Sequence, residues 1–178
     1  MEYIQQNNVI DTILNFHKPD LGKDYEQYRN HVYRVYNFAI LFDNELQHSL
    51  VLLIAVAFHD LGIWTNKTFD YLEPSIALAK NYSLSNYNLG FDSVAEIEII
   101  IDNHHKLTRI NGSKTAEVFR QADLLDLTLG LIRHGIELRE IKKIKKLFPN
   151  RGFHYKLMKL FCVNFIKNPF NPLPMYRF

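Results

Sequence analysis

Along the chain, apolar residues recur at intervals of three and four rather than two, which is the period of helices that bury one stripe. Between about Asp24 and Phe42, for example, Tyr28, Val35, Phe38 and Phe42 share a stripe. The pattern predicts eight helices. They fall at about 2–16, 24–42 and 49–60, a short fourth from Glu73-Pro74 through Tyr82, a fifth from Asp92 or Ser93 to 103, then 113–132, 136–148 and 154–166. Pro19 and Gly22 follow the first helix, Pro74 suits a first helical turn, and Asn111-Gly112 separates two helical patterns instead of joining strands. From Asn168 onward three prolines remove backbone donors, so the tail is expected to be extended. The expected fold class is all-α. Residues 1–178 are read as a single compact bundle of about eight helices, with a core over about 24–133 and C-terminal helices and tail over 134–178.

Composition narrows this picture. The 178 residues are 47% hydrophobic and 13% aromatic with 7 Gly and 6 Pro, which excludes a mainly disordered chain. A formal charge of +2 argues against a general nucleic-acid binder. The longest apolar run, Leu50 to Phe58, is too short to span a bilayer and ends in His59-Asp60. No basic start and apolar stretch mark a secretory signal, and the lone Cys162 excludes an internal disulfide, so the expected compartment is the cytoplasm. The 8 histidines are the compositional hint of chemistry.

Placed on the helices, polar residues able to bind metal fall on apolar stripes. His31 lies with Tyr28, Val35 and Phe38; His59 follows Leu52, Ala55 and Val56, with Asp60 at the helix end; Asp123 aligns with Ala116, Phe119 and Leu127. His104 continues the stripe of Ile97, Ile100 and Ile101, whereas His105 is rotated toward its edge. Buried imidazoles and carboxylates need a partner, and one divalent cation satisfies several at once. Two imidazoles and two carboxylates suit Mn, Fe, Co, Ni, Zn or Mg, and the lack of a cysteine cluster excludes a structural zinc knuckle.

The ordered set His31, His59-Asp60 and Asp123, set in Asn30-His31-Val32-Tyr33-Arg34-Val35, Ala55 to Gly62 and Arg120 to Asp126, resembles the HD-domain superfamily of metal-dependent phosphohydrolases. The likeness covers roughly Tyr28 to Arg133. It implies an all-α fold and a divalent metal held by His31, His59, Asp60 and Asp123. The implied activity is hydrolysis of a small phosphoester, a nucleotide among the candidates. Some members place a glutamate shortly after the doublet; here Leu61-Gly62-Ile63-Trp64 follows, and Asp70 and Glu73 are the next carboxylates. One metal is expected, because a second would need Glu73 or water in a place histidine often takes.

In this chemistry Asp60 both holds the ion and orients the attacking water, and His104 contacts phosphate or protonates the leaving oxygen, unless it only caps its helix. Arg34, one turn after His31, together with Lys106 and Arg109, is expected at the cleft mouth as a phosphate contact. Asp126 is a candidate either to support the site or to bond a neighbouring arginine. Trp64 and Tyr71 either stack on a base or pack in the core. The basic helix carrying Lys142, Lys143, Lys145 and Lys146 reads as a solvated face, so no nucleic-acid or membrane partner is expected. Cys162 is expected to be buried. A homodimer is left open. Two other functions stay open: a degenerate module that binds a nucleotide or partner without turnover, and a diiron oxygenase on the same scaffold.

Overall fold

A computed structural model describes residues 2–176. Among them every regular element is helical. Ten α-helices follow in order: α1 Asn8–Phe16, α2 Lys18–Leu21, α3 Tyr25–Phe42, α4 Leu50–Phe58, α5 Gly62–Thr65, α6 Leu72–Tyr87, α7 Phe91–Asn103, α8 Lys114–Leu127, α9 Leu138–Leu147 and α10 Phe153–Lys167. Setting aside the four-residue α2 and α5, eight remain, each matching one predicted element.

The boundaries shift for local reasons. Helix α1 starts late because Asn7 is its cap, its side chain accepting from the amides of Val9 and Ile10. The expected capping of α7 by Asp92 or Ser93 is replaced by a start at Phe91 after Gly90, with no side-chain cap. Helix α8, capped by Ser113, stops at Leu127 rather than near 132. There Leu129 and Gly130 take φ of 56° and 86°, and the Gly130 amide donates back to the Leu125 carbonyl at 2.8 Å, a left-handed helix stop. Helix α6 is longer than expected and ends on left-handed Asn88.

Helix α4 is apolar all round, and Leu52 to Phe58 are all buried, as a helix at the centre of a bundle must be. It packs on α1, α3, α6 and α7, while α8 lies along α3 and also touches α7. Helices α9 and α10 close over α3. The basic helix α9 buries Ile141 and Ile144 and leaves Lys142, Lys143 and Lys146 outward, where Lys143 pairs with Glu140, while half-buried Lys145 donates to the Leu129 carbonyl. Cys162, expected inside, is exposed, because α10 buries only Phe153 fully. No helix among the described residues is long and apolar enough to cross a membrane.

Candidate metal centre

Two helices and the C-terminal ends of two others meet at one buried point. His31 comes from the middle of α3, His59 from the C-cap of α4, Asp60 from the next residue, His104 from the C-cap of α7, and Asp123 and Asp126 from α8. The turn after α4 is held by Tyr28: its hydroxyl donates to the Ala57 carbonyl at 3.0 Å and accepts from the Asp60 amide at 3.3 Å. Gly62 lets this turn lie against α6, since a Cβ there would stand 2.6 Å from the Tyr71 carbonyl oxygen.

The imidazoles are oriented by their outer nitrogens. His59 Nδ1 donates to the Val56 carbonyl at 2.9 Å, His104 Nδ1 to the Ile101 carbonyl at 2.6 Å, and His31 Nδ1 to Asp126 Oδ2 at 2.8 Å. Each bond fixes the tautomer, so that Nε2 turns inward with its lone pair, the arrangement metal-binding histidines usually show. His31 Nε2 and His59 Nε2 stand 2.9 Å apart. Asp60 Oδ2 lies 3.5 Å from each of them, and Asp123 Oδ1 lies 3.6 and 3.8 Å away. His104 Nε2 faces Asp60 Oδ1 at 3.4 Å.

The donor set fits a divalent cation. Three inward lone pairs and two carboxylates repel one another unless positive charge lies among them. Asp60 Oδ1 and His104 Nε2 are buried without a hydrogen-bond partner, the expected state of atoms that face a bound ion, water or substrate rather than of structural polar groups. Where no ion supplies that charge, a proton on His31 Nε2 would supply part of it, and it would leave as the lone pair takes an ion. Burial opposes that proton, yet the hydrogen bonds to Asp126 and Asp60 prevail and raise the imidazole to about 9, so its Nε2–H can donate to His59. Burial lowers His59 to about 3 against the pull of Asp60. Asp60 is held well below the usual carboxylate range, its burial outweighed by His59 and His104, whereas burial lifts Asp123 to about 6.

The expected quartet His31, His59, Asp60 and Asp123 is thus brought together, with His104 beside it. His105, expected at the edge, joins too: its Nε2 meets the Tyr71 hydroxyl at 2.6 Å and its Nδ1 faces Asp123 Oδ2 at 3.7 Å. The residue past a helix end is no longer bound to the helical period, so the stripe could not reveal this. Two groups can each hold a metal ion, His31 with His59 and Asp60, and Asp60 with His104 and His105.

Arg34 is corrected. It does not stand at a cleft mouth: it is 1% exposed, with Nε and Nη2 on the two oxygens of Asp126 at 2.6 and 2.8 Å and Nη1 on the Phe148 carbonyl at 3.0 Å. Helices α8 and α9 cover that face of α3, and a guanidinium buried there needs all its donors matched. Arg109 is exposed and lines a separate surface cavity with Asn111, Lys114 and Glu117, away from the cluster. Lys106 is half-buried and lines a narrow gap of about 10 Å³ with His104, His105, Asp123 and Tyr176. Trp64 is buried, its indole donating to Asp24 Oδ2 at 3.0 Å, so it packs in the core; Tyr71 is 2% exposed.

No place at the site was expected for the chain's last described residues. Tyr176 stacks on His105 with ring centroids 5.5 Å apart at 19°, and Met175 is buried. Comparisons of the chain with protein-family models, with curated proteins and with solved structures gave no match.

Proposed function

We propose that this chain is a metal-dependent phosphohydrolase of the HD-domain type that cleaves a small phosphoester. The observation that carries the reading is the convergence of three imidazole Nε2 atoms, each oriented by an outward hydrogen bond, on the carboxylates of Asp60 and Asp123. His31, His59, Asp60 and Asp123 would hold the ion. Such an ion supplies Lewis-acid activation of water and neutralises charge on a phosphoryl oxygen.

The protein's own groups do the rest. Asp60, low in pKa, stays ionised and accepts a hydrogen bond from the attacking water through Oδ1, the oxygen without a protein partner. His104 is raised above its ordinary value, because Asp60 and Asp123 outweigh the burial that would lower it. It can therefore carry a proton on Nε2 near neutral pH and donate it to the leaving oxygen. Phe119 and Tyr28 wall the site and exclude bulk water, which strengthens each electrostatic contact within it.

The test is release of phosphate from a panel of esters with Mn, Co, Ni and Mg, alongside His59→Ala and Asp60→Ala. Metal-dependent release lost in both variants supports the reading, and no release with any of the ions removes it. A second reading rests on Asp60, which belongs to both ligand groups and so would bridge two ions. Metal analysis distinguishes the two, at one or two ions per chain. Two irons with oxygen consumption would favour oxygenase chemistry instead.

A further inference from the structure

An apolar cavity of about 330 Å³ adjoins the cluster. Tyr71 and His105 line it, and these same two residues carry the hydrogen bond that directs His105 toward Asp123. Leu127 and Tyr176 line both this cavity and the narrow gap beside Asp123 and His104. Away from the cluster the walls are Phe69, Leu157, Met158, Phe161 and Leu173 with His154, whose two ring nitrogens are engaged by Asn150 and the Asp126 carbonyl, and among the described residues the lining carries no Lys, Arg, Asp or Glu. The exposed members of the lining are Leu129 and Met158, at 51% and 61%.

Such a wall cannot compensate a second phosphate, and it offers a sugar few hydrogen bonds. Burying a polar group without partners is unfavourable, whereas burying a methylene is favourable. A volume of about 330 Å³ lies at the lower end of the range for small-molecule sites. We propose that this cavity takes the neutral, apolar arm of the molecule whose polar end engages the His/Asp cluster, so that the substrate is an amphiphilic phosphoester with an alkyl or aromatic group rather than a nucleotide. This rests on the phosphohydrolase reading for the identity of the polar end only.

The experiment measures binding, not turnover, so that the two ideas can fail separately. The full chain with Mn is titrated calorimetrically with n-alkylphosphonates from methyl to octyl, with n-alkanols of the same lengths, and with AMP. Wild-type Kd for the phosphonates is expected to fall about fourfold per methylene until the cavity fills. Met158→Trp, a change at an exposed rim position, is expected to remove the gain for octyl and leave methyl unaltered. Phosphonate affinity independent of chain length, or AMP binding tighter than octylphosphonate, overturns the inference and leaves the phosphohydrolase reading standing. Alkanols bound with the same slope while no phosphonate binds would support the apolar cavity and remove the phosphoester reading.

Discussion

Arg34 and Asp126 form a two-point ion pair inside the protein, with Nε and Nη2 at 2.6 and 2.8 Å from the two carboxylate oxygens and neither side chain more than 1% exposed. The pair matters to the cluster because Asp126 Oδ2 also accepts from His31 Nδ1 at 2.8 Å. Arginine thus acts on the site at one remove, by keeping ionised and oriented the carboxylate that sets the His31 tautomer.

Replacing Arg34 by Met should leave a buried, unpaired carboxylate and cost about 3–5 kcal/mol of stability. Arg34→Lys should recover little of it, because an ammonium cannot make the two-point contact. Urea unfolding of the three proteins checks this. An Arg34→Met protein as stable as wild type would mean that Asp126 is satisfied by other groups.

Asp126→Asn keeps the shape of the side chain but removes the charge facing His31. Metal affinity is expected to fall about 10–100-fold, with the metal still bound at saturating concentration. Competition against a chelating dye measures it, and an unchanged affinity would separate Asp126 from the function of the cluster.

Metal removal should lower the melting temperature. Binding to the folded state at a hundredfold excess over Kd adds about 2.7 kcal/mol, so chelator and Mn should move Tm in opposite directions. In His31→Ala, which removes an inward Nε2, the two curves should come together.

Gly62→Ala should destabilise by about 1–3 kcal/mol, because the added methyl meets a backbone oxygen rather than a yielding side chain. Its Cβ would lie 2.6 Å from the Tyr71 oxygen and 3.0 Å from both Pro74 Cβ and Ser75 Oγ. The same shift moves the turn that carries Asp60, so metal affinity should fall along with Tm.

Acid should act through Glu117. Burial would raise this carboxyl, but the Arg120 guanidinium and the Ile110 amide outweigh it and lower it to about 2 from an ordinary 4.5. A depressed folded-state value means stability that is present above about pH 4.5 and lost as pH falls toward 2. Glu117→Gln should therefore lower Tm at pH 7 and shrink the difference in Tm between pH 5 and pH 3.

The helices and the inward faces of His31, His59 and Asp123 are readable from the residues alone, because both arise from a 3.6-residue period that is a local property of the chain. The sequence also left Asp126, one turn from Asp123, either to support the site or to bond a neighbouring arginine. Which arginine it bonds, and how that pair acts on His31, depend on packing between helices. Whether Arg34 meets solvent or a carboxylate depends on α8 and α9 lying over α3, and no spacing within α3 encodes that. His105 and the tail residues Met175 and Tyr176 lie beyond helix ends, where the direction of a side chain is set by its packing neighbours. The His/Asp cluster was therefore legible as a set of residues. Its second imidazole group and the apolar cavity beside it arise from packing between segments far apart in the chain.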